Sequence, residues 1–418
     1  MNEHGTNERD ANELGLSERA VHARSTTGAG MTGRPVRVLY WFTQPTPYAV
    51  ARFNAAVERP ELDFHAVFSH VREPDRSWDV DESAWKFPAS YLGRIKVPVK
   101  ELRRLRPDVF ALEYDRWNLA LGAILGFATA RRVAFRVLPN FDAWSTRTWW
   151  RELGKKVLFK AVDGAKVPGP DGTALAVRYG LPPERTAVVT QSIDVAHYGR
   201  GRALTAAERR RRREAQGLSG CVFLYVGRVW AGKGLDELFT AYRRVRAARD
   251  DISLLIVGDG VDYARYFDQE SATAGVTFAG FVQPAELPEW YAICDVLVFP
   301  THGDPNGLVV EEALAASLPV IVSDAAGDIR ARVPQSVGRV FPVGDADALA
   351  QAMDALAEPA LRESIGGRGP DWVAWKNDER YAEDLARFAR DLVASPRRRT
   401  IHRAACAALG RLLAWSGR

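Results

Sequence analysis

The sequence predicts an α/β fold in which two doubly wound domains face one another across a cleft. Three observations lead there. The chain has 418 residues, too many for one ordinary domain and suited to two. Short runs rich in β-branched and aromatic residues alternate with amphipathic helical stretches, the pattern of parallel sheets covered on both faces. The alternation occurs twice, on either side of a Gly- and Arg-rich stretch at 199–218.

Residues 1–34 are polar, lack apolar periodicity and read as a disordered tail. Met31, just before the first strand, is a candidate translation start. The first domain is expected over 35–198. VRVLYWF begins it as a strand and PYAVARFNAAVE follows as a helix, with Val50, Phe53, Ala56 and Val57 on one face. DFHAVFS, RPDVFALEY, VAFRVLP, AKVPG and TAVVTQ continue as strands. Between them lie a basic helix around Leu102 and the helices LALGAILGFATARR, TWWRELGKKVLFKAV and DGTALAVRYG, the last closed by Gly180. A linker is expected over 199–218 and a second domain over 219–375. Its strands are CVFLYVG, ISLLIVG, VTFAGF, DVLVFP and PVIVSD, each followed by a helical segment.

Composition narrows the functional classes. Hydrophobic residues make up 47% and charged residues 26%, as in ordinary globular proteins. Cys221, Cys294 and Cys406 lie far apart, which argues against a disulfide framework or a zinc site and fits a cytoplasmic protein. No run of 18 apolar residues exists to span a bilayer. The net charge of +5 gathers in Arg209–Arg213 and in the acid-free stretch 396–418. Such clusters suit nucleic acid or an anionic membrane. For 209–213 a solvated helix face or linker is the plainer account, and no nucleic-acid partner is expected. In 396–418, Ile401, Ala405, Leu409, Leu412 and Trp415 share one helical face flanked by arginines. That suits a helix lying on the inner face of the plasma membrane; the plainer accounts are a helix packed on the first domain or a frayed basic tail.

Two segments carry chemistry. After the strand ending at Val226 comes Gly227-Arg228-Val229-Trp230-Ala231-Gly232-Lys233-Gly234 and then a helix. Backbone N–H groups, a helix N-terminus and two cations five positions apart suit a diphosphate. The spacing is not that of a P-loop. After DVLVFP a loop runs from Thr301 through Asp304 to a helix bearing Glu312. Asp304 and Glu312 can accept hydrogen bonds from sugar hydroxyls. Gly307, Leu308 and Val309 offer amides to an anion. The structural alternatives are a turn or cap role for Asp304 and a solvated helix position for Glu312.

Six segments, VGRVWAGKGLDEL, LLIVGDG, VTFAGFV, ELPEWYAICDVLVFPT, DPNGLVVEEALAASLPVIVSD and VGRVFPVGDADAL, stand in the order and spacing of one family over roughly 221–350. They resemble the retaining glycosyltransferases of family four, which have the GT-B fold of two facing Rossmann-like domains. The resemblance implies a nucleotide-sugar donor, a hydroxyl acceptor such as a glycan, glycolipid or natural product, transfer with retention, and no metal or other cofactor. It implies that Arg228 and Lys233, on the turn opened by Gly227, bind the donor diphosphate, and that Glu312 holds the ribose. Asp304 falls where the family has a Glu on the transferred sugar, one methylene shorter here. Gly307, Leu308 and Val309 match the backbone around the sugar and β-phosphate, and Val282 lies near the nucleobase. Thr46, Pro47 and Tyr48 match an acceptor-side loop. Where many relatives carry a His, this chain has Pro139-Asn140-Phe141-Asp142, so Asp142 is a further acceptor-side candidate. A helix crossing back to the first domain is expected over 376–395. Two alternatives stay open: another GT-B enzyme, such as a sugar-nucleotide epimerase or phosphorylase, or a non-catalytic membrane-associated sugar-binding protein.

Overall fold

The computed structural model describes residues 34–71, 78, 81–92, 97–113, 117–138 and 149–416. The expectations for 1–33, including Met31, and for Asp142 lie outside the described residues.

Two all-parallel sheets form the frame. The first has seven strands: β1 (Val36–Phe42), β2 (Leu62–Phe68), β3 (Ala89–Tyr91), β4 (Val109–Glu113), β5 (Arg132–Arg136), β6 (Gly164–Val167) and β7 (Thr186–Val188), in the order β3-β2-β1-β4-β5-β6-β7. The second has six: β8 (Cys221–Val226), β9 (Ile252–Val257), β10 (Val276–Gly280), β11 (Val296–Phe299), β12 (Val320–Ser323) and β13 (Gly338–Phe341), in the order β10-β9-β8-β11-β12-β13. Both orders are doubly wound, so each sheet has a switch point where consecutive loops diverge and leave a crevice at the strands' carboxyl ends. The crevices lie between β1 and β4 and between β8 and β11.

Central strands are buried on both faces, as near-continuous apolar runs require: every residue of β8, β9, β11 and β12 is buried. Two apolar clusters flank each sheet. In the first domain, one side gathers Leu39, Trp41, Phe110 and Phe135, and the other Val38, Tyr40, Phe53 and Phe64. Helix Asp378–Ala394 seals the second of these with Tyr381, Leu385, Phe388 and Leu392.

Two stretches depart from the sequence reading. Within the expected linker 199–218, residues Ala206–Ala215 form a helix. Arg209 and Arg213, one turn apart, both grip the Asp295 carboxylate, at 3.0 and 2.7 Å. Arg213 also donates to the Ile293 carbonyl at 2.7 Å. The arginine block is thus partly a structural clamp on the second domain. The expected basic tail 396–418 contains helix Ile401–Ser416, and one of its faces is internal. Arg403 is buried against Asp163 at 2.6 Å, and Cys406 and Ala407 join the first domain's core. The opposite face, Ile401, Ala405, Leu409 and Leu412, is exposed.

Candidate functional site in the second domain's crevice

The switch point brings the two chemistry-bearing loops together. One leaves β8 as Gly227–Gly234 and the other leaves the adjacent β11 as Pro300–Leu308. They touch closely: the His302 N–H donates to the Gly232 carbonyl at 3.1 Å. A Cβ on Gly234, whose φ is +72°, would sit 2.0 Å from the Pro300 carbonyl oxygen. Only glycine allows that approach.

Lys233 and Asp304, expected to face the donor separately, are paired. Lys233 Nζ lies 2.5 Å from Asp304 Oδ2. Oδ1 of Asp304 accepts from the N–H groups of Asn306 and Gly307, at 2.9 and 2.5 Å. Burial pushes the Asp304 carboxyl up, but the charge of Lys233 and these hydrogen bonds outweigh it and hold the group below its ordinary range. Asp304 therefore stays ionised, and it also organises its own turn. This alters one expectation: the Gly307 N–H, a candidate donor to a ligand, is already given to Asp304. Gly307 keeps a φ of +55°, and a Cβ there would meet the Phe299 ring at 2.5 Å. Leu308 and Val309 follow at the start of helix Val309–Ala315.

Arg228 is half-buried beside Gly227, and its carbonyl accepts from the Tyr225 hydroxyl at 2.7 Å. Val282 is half-buried against the second domain's core just past β10.

Glu312 is neither a solvated helix residue nor open to the crevice. It is 0% exposed. Its Oε1 accepts from the Tyr48 hydroxyl at 2.6 Å and its Oε2 from the Tyr291 hydroxyl at 2.8 Å. Tyr198 closes the ring with its hydroxyl 3.1 Å from that of Tyr48. Burial raises the Glu312 carboxyl to about 7, although the tyrosine hydrogen bonds oppose it. Tyr48 belongs to the first domain. It sits in the first turn of helix Pro47–Val57, whose N-cap is Thr46 and whose first residue is Pro47. The Thr46 hydroxyl accepts from the Ala49 N–H at 3.1 Å. The segment expected on the acceptor side and the carboxylate expected at the ribose are thus in direct contact across the cleft. A reciprocal pair of backbone-to-carboxylate bonds also crosses it: the Asp171 N–H donates to Asp328 Oδ1 and the Asp328 N–H to Asp171 Oδ2, both at 2.7 Å.

Sequence reasoning passed over Glu311. It is buried and bound by Arg332 at 2.7 and 2.6 Å and by Lys376 at 2.8 Å. Burial favours its neutral form, but those two cations draw it down to about 2. Its partners lie 21 and 65 residues downstream, so local spacing gave no sign of them.

The family model "Glycosyl transferases group 1" matches residues 220–358. A D-inositol 3-phosphate glycosyltransferase of Geodermatophilus obscurus is 31% identical over 280 residues, 63% of this chain and 60% of that protein. A GDP-mannose-dependent alpha-mannosyltransferase of Mycobacterium tuberculosis is 30% identical over 295 residues, 65% of this chain and 71% of that protein. The alignments thus span about 60–70% of the length of these relatives. In fold, a sucrose-phosphate synthase from Thermosynechococcus elongatus superposes with a TM-score of 0.68 at 20% identity, covering 86% of this chain and all of the other. The Anabaena HepE protein in complex with UDP superposes with a TM-score of 0.67 at 16% identity, covering 84% of this chain and 98% of the other. Both have the two-domain GT-B architecture described above.

Proposed function

This chain belongs to the family-four glycosyltransferases, the glycosyl transferases group 1, and we propose that it moves a hexose-type sugar from a nucleoside-diphosphate sugar to a hydroxyl acceptor with retention of configuration. The observation that carries the reading is the Lys233–Asp304 pair, 2.5 Å apart where two switch-point loops meet. A diphosphate arriving at this turn takes Lys233 as a counter-ion, and Asp304 is freed on that side for the hydroxyls of the sugar. Arg228 and Lys233 neutralise charge that grows on the leaving diphosphate while the sugar passes through an oxocarbenium-like state. Preorganised stabilisation of this kind is usually the largest catalytic contribution. Two side-chain cations fill the role that a divalent metal plays elsewhere, so the reaction is metal-independent. Glu312 holds the ribose once Tyr48 releases it, and Thr46, Pro47 and Tyr48 border the acceptor.

The test is a product assay with the full chain, a panel of sugar nucleotides and hydroxyl acceptors. Release of nucleoside diphosphate together with a glycosylated product supports transfer. Sugar phosphate formed only with inorganic phosphate present identifies a phosphorylase, and an isomerised sugar nucleotide an epimerase.

A peripheral membrane contact through 396–418 belongs to the same reading. It is supported by the solvated apolar stripe on helix Ile401–Ser416, where Ile401 is 80% and Leu412 66% exposed. Arg397, Arg399 and Arg411 lie alongside to meet anionic headgroups. Among the described residues no helix is long and apolar enough to cross a membrane.

A further inference from the structure

At the carboxyl ends of the first sheet lies a second cluster that the donor chemistry does not use. Lys166 on β6 is 4% exposed, and its ammonium sits 4.6 Å from the centre of the Tyr40 ring and 4.9 Å from that of Tyr381. It donates one hydrogen bond, to the Tyr381 hydroxyl at 3.0 Å. Among the described residues no carboxylate pairs with it. Arg52 is also buried, and it donates only to uncharged oxygens: Gln191 at 2.9 Å, the Ser192 hydroxyl at 3.0 Å and the Ser192 carbonyl at 2.6 Å. Arg136, from the end of β5, is paired with Glu113. All three cations line one small cavity with Tyr40, Gln191 and Tyr381. The Tyr40 hydroxyl, fully buried there, has no hydrogen-bond partner among the described residues.

Two aromatic faces offset only part of the cost of burying an ammonium. Burial, reinforced by the charges of Arg136 and Arg52, drives the Lys166 amine well below its ordinary range. The cluster thus has spare donors: N–H groups on Lys166 and an O–H on Tyr40. The free space is about 10 Å³, room for a single oxygen atom. Arg52 lies one helical turn after Tyr48, about 6 Å along the axis, and Tyr48 touches Glu312 of the donor domain.

We propose that Lys166, Arg52 and Arg136, with the Tyr40 hydroxyl, form a subsite for a phosphate oxygen carried by the acceptor. The acceptor is then a phosphorylated compound, either a soluble phosphate ester or a phospholipid headgroup. The proposal rests on the glycosyltransferase reading only for which substrate brings the phosphate.

The test uses the full chain carrying Lys233→Ala, which weakens any phosphate binding at the donor turn. Calorimetric titration with glycerol 1-phosphate and with glycerol is set beside co-sedimentation with phosphatidylinositol and phosphatidylcholine vesicles. Saturable binding of glycerol 1-phosphate but not glycerol is expected for a soluble acceptor, and selective sedimentation with phosphatidylinositol for a lipid one. Either should fall at least tenfold with Lys166→Met, which keeps the volume and removes the amine, and several-fold with Tyr40→Phe, which removes only the hydroxyl. Melting temperatures check that each variant folds. Phosphate binding unchanged in both folded variants, or none to either phosphate source, overturns the subsite. Nucleoside diphosphate binding to the Lys166→Met chain with Lys233 intact reads the donor site separately: its loss there points to a general disruption and also counts against the proposal.

Discussion

The Tyr48 hydroxyl donates to Glu312 Oε1 at 2.6 Å, so a residue of the first domain occupies the carboxylate assigned to the donor's ribose. This hydrogen bond joins the two domains at the carboxylate that the proposed function gives to the nucleotide. Removing the hydroxyl frees one oxygen of Glu312 without altering its burial. Tyr48→Phe is expected to tighten nucleoside diphosphate binding about threefold to tenfold, a little under the usual worth of a hydrogen bond to a charged group. Calorimetry reads this directly, and equal or weaker binding counts against Glu312 as the ribose ligand.

Glu312 also makes a prediction about pH. Its carboxyl is raised from 4.5 to about 7 in the folded chain. Between those values the native state binds a proton that the unfolded chain has lost, so unliganded stability falls as pH rises through this window and levels off above 7. The full excursion is on the order of 3 kcal/mol. Glu312→Gln should flatten this part of the melting-temperature profile between pH 5 and 8. A profile as steep as that of the parent protein would falsify the assignment.

Its neighbour behaves in the opposite sense. Glu311 is drawn down to about 2 by Arg332 and Lys376. Its contribution is complete above pH 4.5 and is lost as pH falls towards 2. Glu311→Ala strands two buried cations and should cost about 3–5 kcal/mol in denaturant unfolding. A loss below 1 kcal/mol would mean the triad is not intact in solution.

Lys233→Ala should lower turnover on the order of 100-fold or more while the melting temperature changes little. The same assay run on the parent enzyme in excess chelator should proceed at an unchanged rate. Strict dependence on added metal would contradict the role given to Arg228 and Lys233.

Truncating the tail cannot test membrane contact cleanly, because Arg403, Cys406 and Ala407 belong to the first domain's interior. Replacing the solvated Ile401 and Leu412 with Asn leaves that interior untouched. This double variant should sediment less with phosphatidylglycerol vesicles while melting like the parent protein. Undiminished sedimentation rules out the stripe as the contact.

The doubly wound frame was legible because each central strand is buried on both faces and so appears as an apolar run between helical periods. β3 was not: Ala89–Tyr91 is a three-residue edge strand held by its pairing with β2. Helix Ala206–Ala215 was hidden by a composition that reads as linker, since Asp295, which holds it, lies more than 80 residues away. In the site, Lys233 and Asp304 could be singled out from local spacing. Their pairing could not, because it depends on β8 and β11 being neighbours. The tyrosine ring around Glu312 was equally invisible, since Tyr48, Tyr198 and Tyr291 come from three distant stretches of the chain.

The two segments that pass between the domains are themselves joined. The Ile193 N–H donates to the Lys376 carbonyl at 3.0 Å. The ammonium of that same Lys376 is bound to Glu311, the residue beside Glu312. The crossing between the domains is therefore wired to helix Val309–Ala315, which carries Glu311 and Glu312. A substitution in either crossing segment thus acts on Glu311, and through the shared helix on the Tyr48–Glu312 contact between the domains.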